Sequence, residues 1–269
     1  MPSVKINDHE MYYEIHGKGA PVLLQGGWGS FCHGSEHHLP RGLTDQYKVI
    51  IIDYRGLYES NDNLSLDPSI EMYANDAIQL LEHLGETSGT HLVGLVGMGA
   101  CISQVMAIQR PEMVRSMLNM GAWSDATDPF FREQMNLFID VHKDMGWESF
   151  QRFVCMMSFR PDYFNENHKK ILGPDGPWRE LNGRLKAHQR FMHACLKHNV
   201  TNELSKILCP SLIIHSHMDV VTSPRMTQPI QEGIRNSEGL DLKQFAHVVA
   251  GKEQKIQFCE ILFDWLNKN

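Results

Sequence analysis

The chain has 269 residues, 42% of them hydrophobic, a formal charge of −7 and a pI near 6.1. That length and apolar content suit one large domain, or a domain carrying an insertion, with a sizeable buried core. An acidic balance without an extended basic face argues against phosphate backbones and anionic lipid, and no run approaches the ~18 apolar residues of a membrane span.

In chain order, an alternating stretch from Val4 to Ile15 predicts an opening strand or hairpin. The runs PVLLQ (21–25), KVIIID (48–53), HLVGLV (91–96), VRSMLNM (114–120) and PSLIIHS (210–216) are short, aliphatic and bounded by Gly, Pro or Asp. Near-continuous apolar runs of this kind are strands covered on both faces. Helical patterns lie between them at Ile70 to Leu84 and Ala100 to Arg110, and a last one runs from Glu253 to Leu266. The alternation predicts an α/β fold with a doubly wound, mostly parallel sheet. From about Asp125 to Val200 the rhythm stops, leaving helical patterns rich in Met, Phe, His and Trp, with GPDGPW (173–178) as a turn between helices. This predicts a core of residues 1–124 and 201–269 with an inserted helical cap at 125–200. Met135, Phe138, Phe153, Met156, Met157, Phe159, Trp178, Phe191 and Met192 are spaced for the cap's interior, and those lining a cleft beneath it would favour a largely apolar substrate.

The N-terminus, MPSVKINDHEMYYEIHG, lacks an apolar signal core, and the six cysteines (32, 101, 155, 195, 209 and 259) are scattered with no CxxC pair. A cytoplasmic protein with reduced thiols is expected, a monomer or homodimer acting on a small molecule, without nucleic-acid or membrane partners.

In an open α/β sheet, ligands bind beyond the carboxyl ends of the strands. Four such places are informative: GGWGS (26–30), GMGA (97–100) leading into a helix, HMDVVTSP (217–224) with Asp219 at a strand end, and LKQFAHVVAG with His247 after a final short strand and before the last helix. The order of turn, Asp and His, with the GGWG loop, DYRGLYESN (53–61), MDVVTSP and FAHVV, resembles the α/β-hydrolase superfamily over essentially the whole chain, cap included. The resemblance implies Asp219 as the triad acid and His247 as the general base. It implies an oxyanion hole from the backbone amides of Trp28 and Met98, and substrate contacts from Gly27, Val96, Trp123, Asp125 and Val248, with no cofactor and no metal.

The nucleophile is missing from the pattern. Register kept from the helix puts Gly97 at its seat, and register kept from the strand puts Val96 there with one extra residue afterwards. Three readings follow: a capped hydrolase of esters, lactones or C–C bonds whose elbow serine has been replaced by Gly97; a non-covalent His–Asp acid/base catalyst, whether decarboxylase, lyase, cyclase or water-mediated hydrolase; and a catalytically inactive small-molecule binder.

Other features have plainer readings. Cys101 reads as a small buried hydrophobe. His215, His217 and Asp219 would share one face of a strand, but Val220 stands where a metallo-hydrolase motif has histidine. Asp125 is an alternative seat for the acid or a cap of the first lid helix. His33, His37 and His38 read as a pocket rim, and Tyr58 as a surface turn residue or one narrowing the pocket.

Overall fold

The computed structural model describes residues 3–28 and 38–269. Gly29, Ser30, Cys32, His33 and His37, all singled out above, lie outside them.

The aliphatic runs form strands, and the polar alternation at the start forms a hairpin. Strand β1 (Ser3–Ile6) pairs antiparallel with β2 (His9–His16), which pairs antiparallel with β4 (Tyr47–Ile52). From β4 onward every pairing is parallel, through β3 (Ala20–Gln25), β5 (Thr90–Leu95), β6 (Val114–Met120), β7 (Ser211–Ser216) and β8 (Ser237–Leu242). The order in this eight-stranded sheet is β1-β2-β4-β3-β5-β6-β7-β8. The final short strand expected before His247 is β8, although SEGLDL has one buried residue and no hydrophobic run to mark its bounds.

Each apolar run hides a period of two. Leu23, Ile50, Leu92, Met117 and Ile213 enter one core, while Val22, Leu24, Val49, Ile51, Val93, Leu118 and Ile214 enter the other. Helices α2 (Ile70–His83), α3 (Met98–Gln109) and α8 (Pro224–Gly233) contribute to the first core, while α1 (Leu43–Gln46) and α9 (Lys252–Lys268) close the second with Leu43, Phe258, Leu262 and Trp265. Fully burying one such aliphatic side chain is worth roughly 1.5–3 kcal/mol, so the two cores fix the strand ends on which the site depends.

Between β6 and β7 the chain runs through α4 (Pro129–Met145), α5 (Trp147–Ser158), α6 (Pro161–Ile171) and α7 (Leu185–Lys197). The GPDGPW turn falls between α6 and α7. The α4 cap is Asp128, whose side chain accepts from the Phe131 amide at 2.8 Å, with Pro129 as the first helical residue. This corrects the capping role considered for Asp125. Met156 points outward, 65% exposed, rather than into the helical interior. Among the described residues no helix is long and apolar enough to cross a membrane.

Candidate active site

The loop after β7 builds an anion cradle. Asp219 Oδ1 accepts from the amides of Val221 and Thr222, both at 2.7 Å, and Oδ2 accepts from Thr222 Oγ1 at 2.8 Å. His247, in the loop after β8, places Nδ1 2.8 Å from the same Oδ2 and 3.2 Å from Thr222 Oγ1. An ionised carboxylate can only accept, so Nδ1 carries a proton, and in the neutral ring Nε2 then has the lone pair. Asp219 is 2% exposed and His247 7%. Burial alone would raise the Asp219 pKa, but the His247 imidazole and the bonds from Thr222 outweigh it and hold the carboxyl below its ordinary value.

The elbow after β5 supplies the floor. The strand ends at Leu95, and Val96 and Gly97 both take positive φ, 57° and 78°. Gly97, with ψ −106°, is the residue that joins directly to α3. A β-branched residue in the left-handed region is strained, and Val96 is held there partly by its amide donating to the Met120 carbonyl at 3.0 Å. The bend therefore contains two residues of positive φ, and they are the two positions between which the sequence registers differ. A Cβ on Gly97 would stand 3.2 Å from Trp123 Cζ3 and 3.5 Å from Cη2. Gly121 leaves room for the His247 ring: a Cβ there would meet His247 Cε1 and Val96 Cα, each at 3.3 Å.

The β3 loop closes on the elbow. A Cβ on Gly27 would lie 2.6 Å from the Val96 carbonyl oxygen, so only glycine permits that approach. Tyr54 Oη donates to the Gly26 carbonyl at 3.0 Å and steadies this loop. Met98, as the first residue of α3, presents one of the amides that a helix leaves without an intrahelical acceptor, and its side chain is fully buried.

These pieces enclose a cavity of ≈ 20 Å³, room for about one water molecule. Gly27, Trp28, Val96, Gly97, Trp123 and His247 line it from below, and Met135, Phe138, Val154, Ser158 and Trp178 from the inserted helices. Trp28 packs against Phe138 and His188, with ring centres 5.4 and 5.1 Å away. Behind it His142 and His188 share a bond, Nδ1 to Nδ1 at 2.9 Å, and burial pushes His188 down to about 3.

Several expected residues stand elsewhere. Asp125 is absent from the lining and instead accepts from the Thr127 amide and hydroxyl, each at 2.7 Å. Val248 lines a wider surface groove, and Tyr58 lies beneath the Arg184 guanidinium, 4.5 Å from ring centre to carbon. His215 bonds Thr227 and Gln231, His217 bonds Asp241, and Asp219 bonds His247, so the three members of the H-x-H-x-D run face different partners. Cys101 is fully buried, its thiol pushed far up by burial and directed at the Trp123 carbonyl, which suits a packing role. Residues not singled out from sequence are Thr222, Tyr54, Gly121 and Ser158. Only Thr222 carried a local signal, as the third residue after an Asp in a strand-end turn.

The family model described as the alpha/beta hydrolase fold matches residues 20–145, the stretch that holds the Gly27 loop, the elbow and β6. The metagenomic α/β-hydrolase enzyme MGS-M2 superposes with a TM-score of 0.87 at 19% identity, covering 100% of this chain and 98% of the other. The chain has the α/β-hydrolase fold. The enol-lactonase of Burkholderia xenovorans LB400 shares the fold as well, with a TM-score of 0.82 at 18% identity over 99% of this chain and all of its own. A relative from Stutzerimonas stutzeri, named putative carbamate hydrolase RutD, is 24% identical over 95% of this chain and 96% of its own.

Proposed function

We propose that this α/β-hydrolase hydrolyses a small, largely apolar ester, lactone or carbamate-type substrate by general-base activation of water, with no acyl-enzyme. The observation that carries the reading is the dyad itself: a His247–Asp219 contact of 2.8 Å at the edge of a water-sized cavity whose floor has Val96 and Gly97 in place of a nucleophile. The nucleophile seat is then Gly97, and residues 125–200 act as the cap over it. The relatives named for carbamate and enol-lactone chemistry support a carbonyl substrate with a heteroatom leaving group.

In this mechanism a water gives a proton to His247 Nε2 as its oxygen attacks the carbonyl carbon. The amides of Trp28 and Met98 receive the developing oxyanion, and each such donor is worth roughly 3 kcal/mol in other enzymes. His247 returns the proton to the leaving oxygen as the C–O bond breaks, giving acid and alcohol. Asp219 stays ionised and stabilises the imidazolium in between. The apolar walls from Met135, Phe138, Val154 and Trp178 exclude bulk water, and admitting a substrate requires these side chains to move outward.

The test is turnover of short 4-nitrophenyl esters and carbamates by wild type and His247→Ala. The expected loss is about 10²–10⁴-fold, the usual contribution of a positioned base. Turnover undiminished in the variant excludes the dyad. Tight binding of these compounds with no turnover in either protein returns the chain to the inactive-binder reading.

A further inference from the structure

One hydroxyl lies in the lining of the cavity that holds His247, and it belongs to Ser158, the last residue of α5. Ser158 is 1% exposed. A serine inside a helix ordinarily turns back on the carbonyl four residues earlier. Ser103 does this in α3, donating to the Gly99 carbonyl at 2.9 Å. Ser158 makes no such bond to Val154, and among the described residues its Oγ has no protein partner. The Ser158 carbonyl, by contrast, accepts from the Val248 amide at 3.0 Å, which ties the end of α5 to the residue beside the base. Ser158 and His247 thus line the same ≈ 20 Å³ space, one from the inserted helices and one from a strand-end loop, and a single backbone hydrogen bond joins Ser158 to Val248, the neighbour of His247.

We propose that Ser158 is a positioning residue that holds the attacking water against His247. A buried water needs two to four polar partners, and apart from the indole N–H groups these are the two hydrogen-bonding side chains the lining offers. The water donates one hydrogen to His247 Nε2 and the other to Ser158 Oγ, which leaves an oxygen lone pair free to face the carbonyl carbon. The first hydrogen is the proton transferred to Nε2, and Ser158 ends each cycle with the proton it began with. The inference rests on the hydrolytic reading above, and places one of its polar groups on the inserted helices rather than on the sheet.

The experiment combines high-resolution crystal structures with steady-state hydrolysis of 4-nitrophenyl acetate by wild type, Ser158→Ala, Ser158→Thr and His247→Ala. The expected structure has a water within hydrogen-bond distance of both His247 Nε2 and Ser158 Oγ, absent in Ser158→Ala. The expected kinetics are a kcat at least about tenfold lower in Ser158→Ala with KM changed less than about threefold, and recovery of most of the loss in Ser158→Thr, a pattern that general loosening of α5 does not give. Wild-type kcat in Ser158→Ala while His247→Ala is inactive overturns the role of Ser158 and leaves the dyad standing. Full turnover in His247→Ala overturns the hydrolytic reading, and the water's presence or absence in the crystals then still decides whether Ser158 holds it. Labelling of Ser158 by a fluorophosphonate overturns the proposal by making it a nucleophile.

Discussion

Replacing Asp219 with Asn tests the dyad through one proton. Oδ1 takes two backbone amides at 2.7 Å, so an asparagine must leave its carbonyl oxygen there. Its NH2 group then falls at the Oδ2 position, 2.8 Å from both His247 Nδ1 and Thr222 Oγ1. An NH2 can only donate, so Nδ1 must accept and the ring proton moves to Nε2. The lone pair that takes the water's proton is gone, although every heavy atom keeps its place. Loss of a positioned base predicts kcat lower by about 10²–10⁴, or about 2.7–5.4 kcal/mol at 1.36 kcal/mol per tenfold. Burial resists ionisation of Asp219, while His247 and Thr222 favour it and leave the folded pKa depressed. The ionised group therefore contributes stability that is present above the unfolded carboxylate range near 3.9 and is lost as pH falls through the folded value. The variant should lose that part of the acid dependence. Steady-state hydrolysis, thermal melts against pH and nitrogen-15 NMR of the imidazole read the three consequences. A kcat within about threefold of wild type, or an imidazole still protonated at Nδ1, refutes the reasoning.

Gly97→Ser should lower stability by about 1–3 kcal/mol, since it forces a side chain into positive φ with Cβ 3.2 Å from Trp123, and should gain no fluorophosphonate labelling. Stoichiometric labelling of the introduced hydroxyl would mean the seat is open and only its occupant is missing. Asp76→Asn should cost about 3–5 kcal/mol in urea denaturation, because Arg55, 1% exposed, holds both Asp76 oxygens at 2.5 and 2.7 Å; a loss under 1 kcal/mol contradicts this. Burial pushes His188 down to about 3 and His198 down to about 4. The unfolded chain binds these protons near pH 6.5, so stability should fall as pH drops from there, by up to about 1.4 kcal/mol per pH unit per histidine until the folded pKa is reached. His188→Gln should flatten that slope, and an unchanged slope counts against the neutral buried pair.

The sheet was readable because its strands are aliphatic runs ended by Gly, Pro or Asp. The bounds of β8 were not, since an edge strand with one buried residue carries no hydrophobic run to mark them. Asp219 and His247 were readable from the places the chain gives them, one in the turn after the β7 run and the other after a final short strand, and from the resemblance those places carry. The elbow stayed ambiguous: Val96 and Gly97 both take positive φ, and a β-branched residue at φ 57° is held by packing that no local pattern announces. Asp125 looked suited to the pocket because it follows β6, yet its carboxylate closes on Thr127, two residues away, before it can reach the cavity. Ser158 carried no signal, because a serine at a helix end stands out only once α5 is placed over the cavity that His247 also lines.

In the proposed reaction His247 drives water, and no protein atom, onto the substrate. Rapid-quench kinetics with 4-nitrophenyl acetate, followed by intact-protein mass spectrometry, address it directly. The expected result is linear nitrophenol release from the first turnover, dependent on His247, with no acyl adduct on the chain. A burst matching the enzyme concentration, accompanied by an acylated residue, contradicts it.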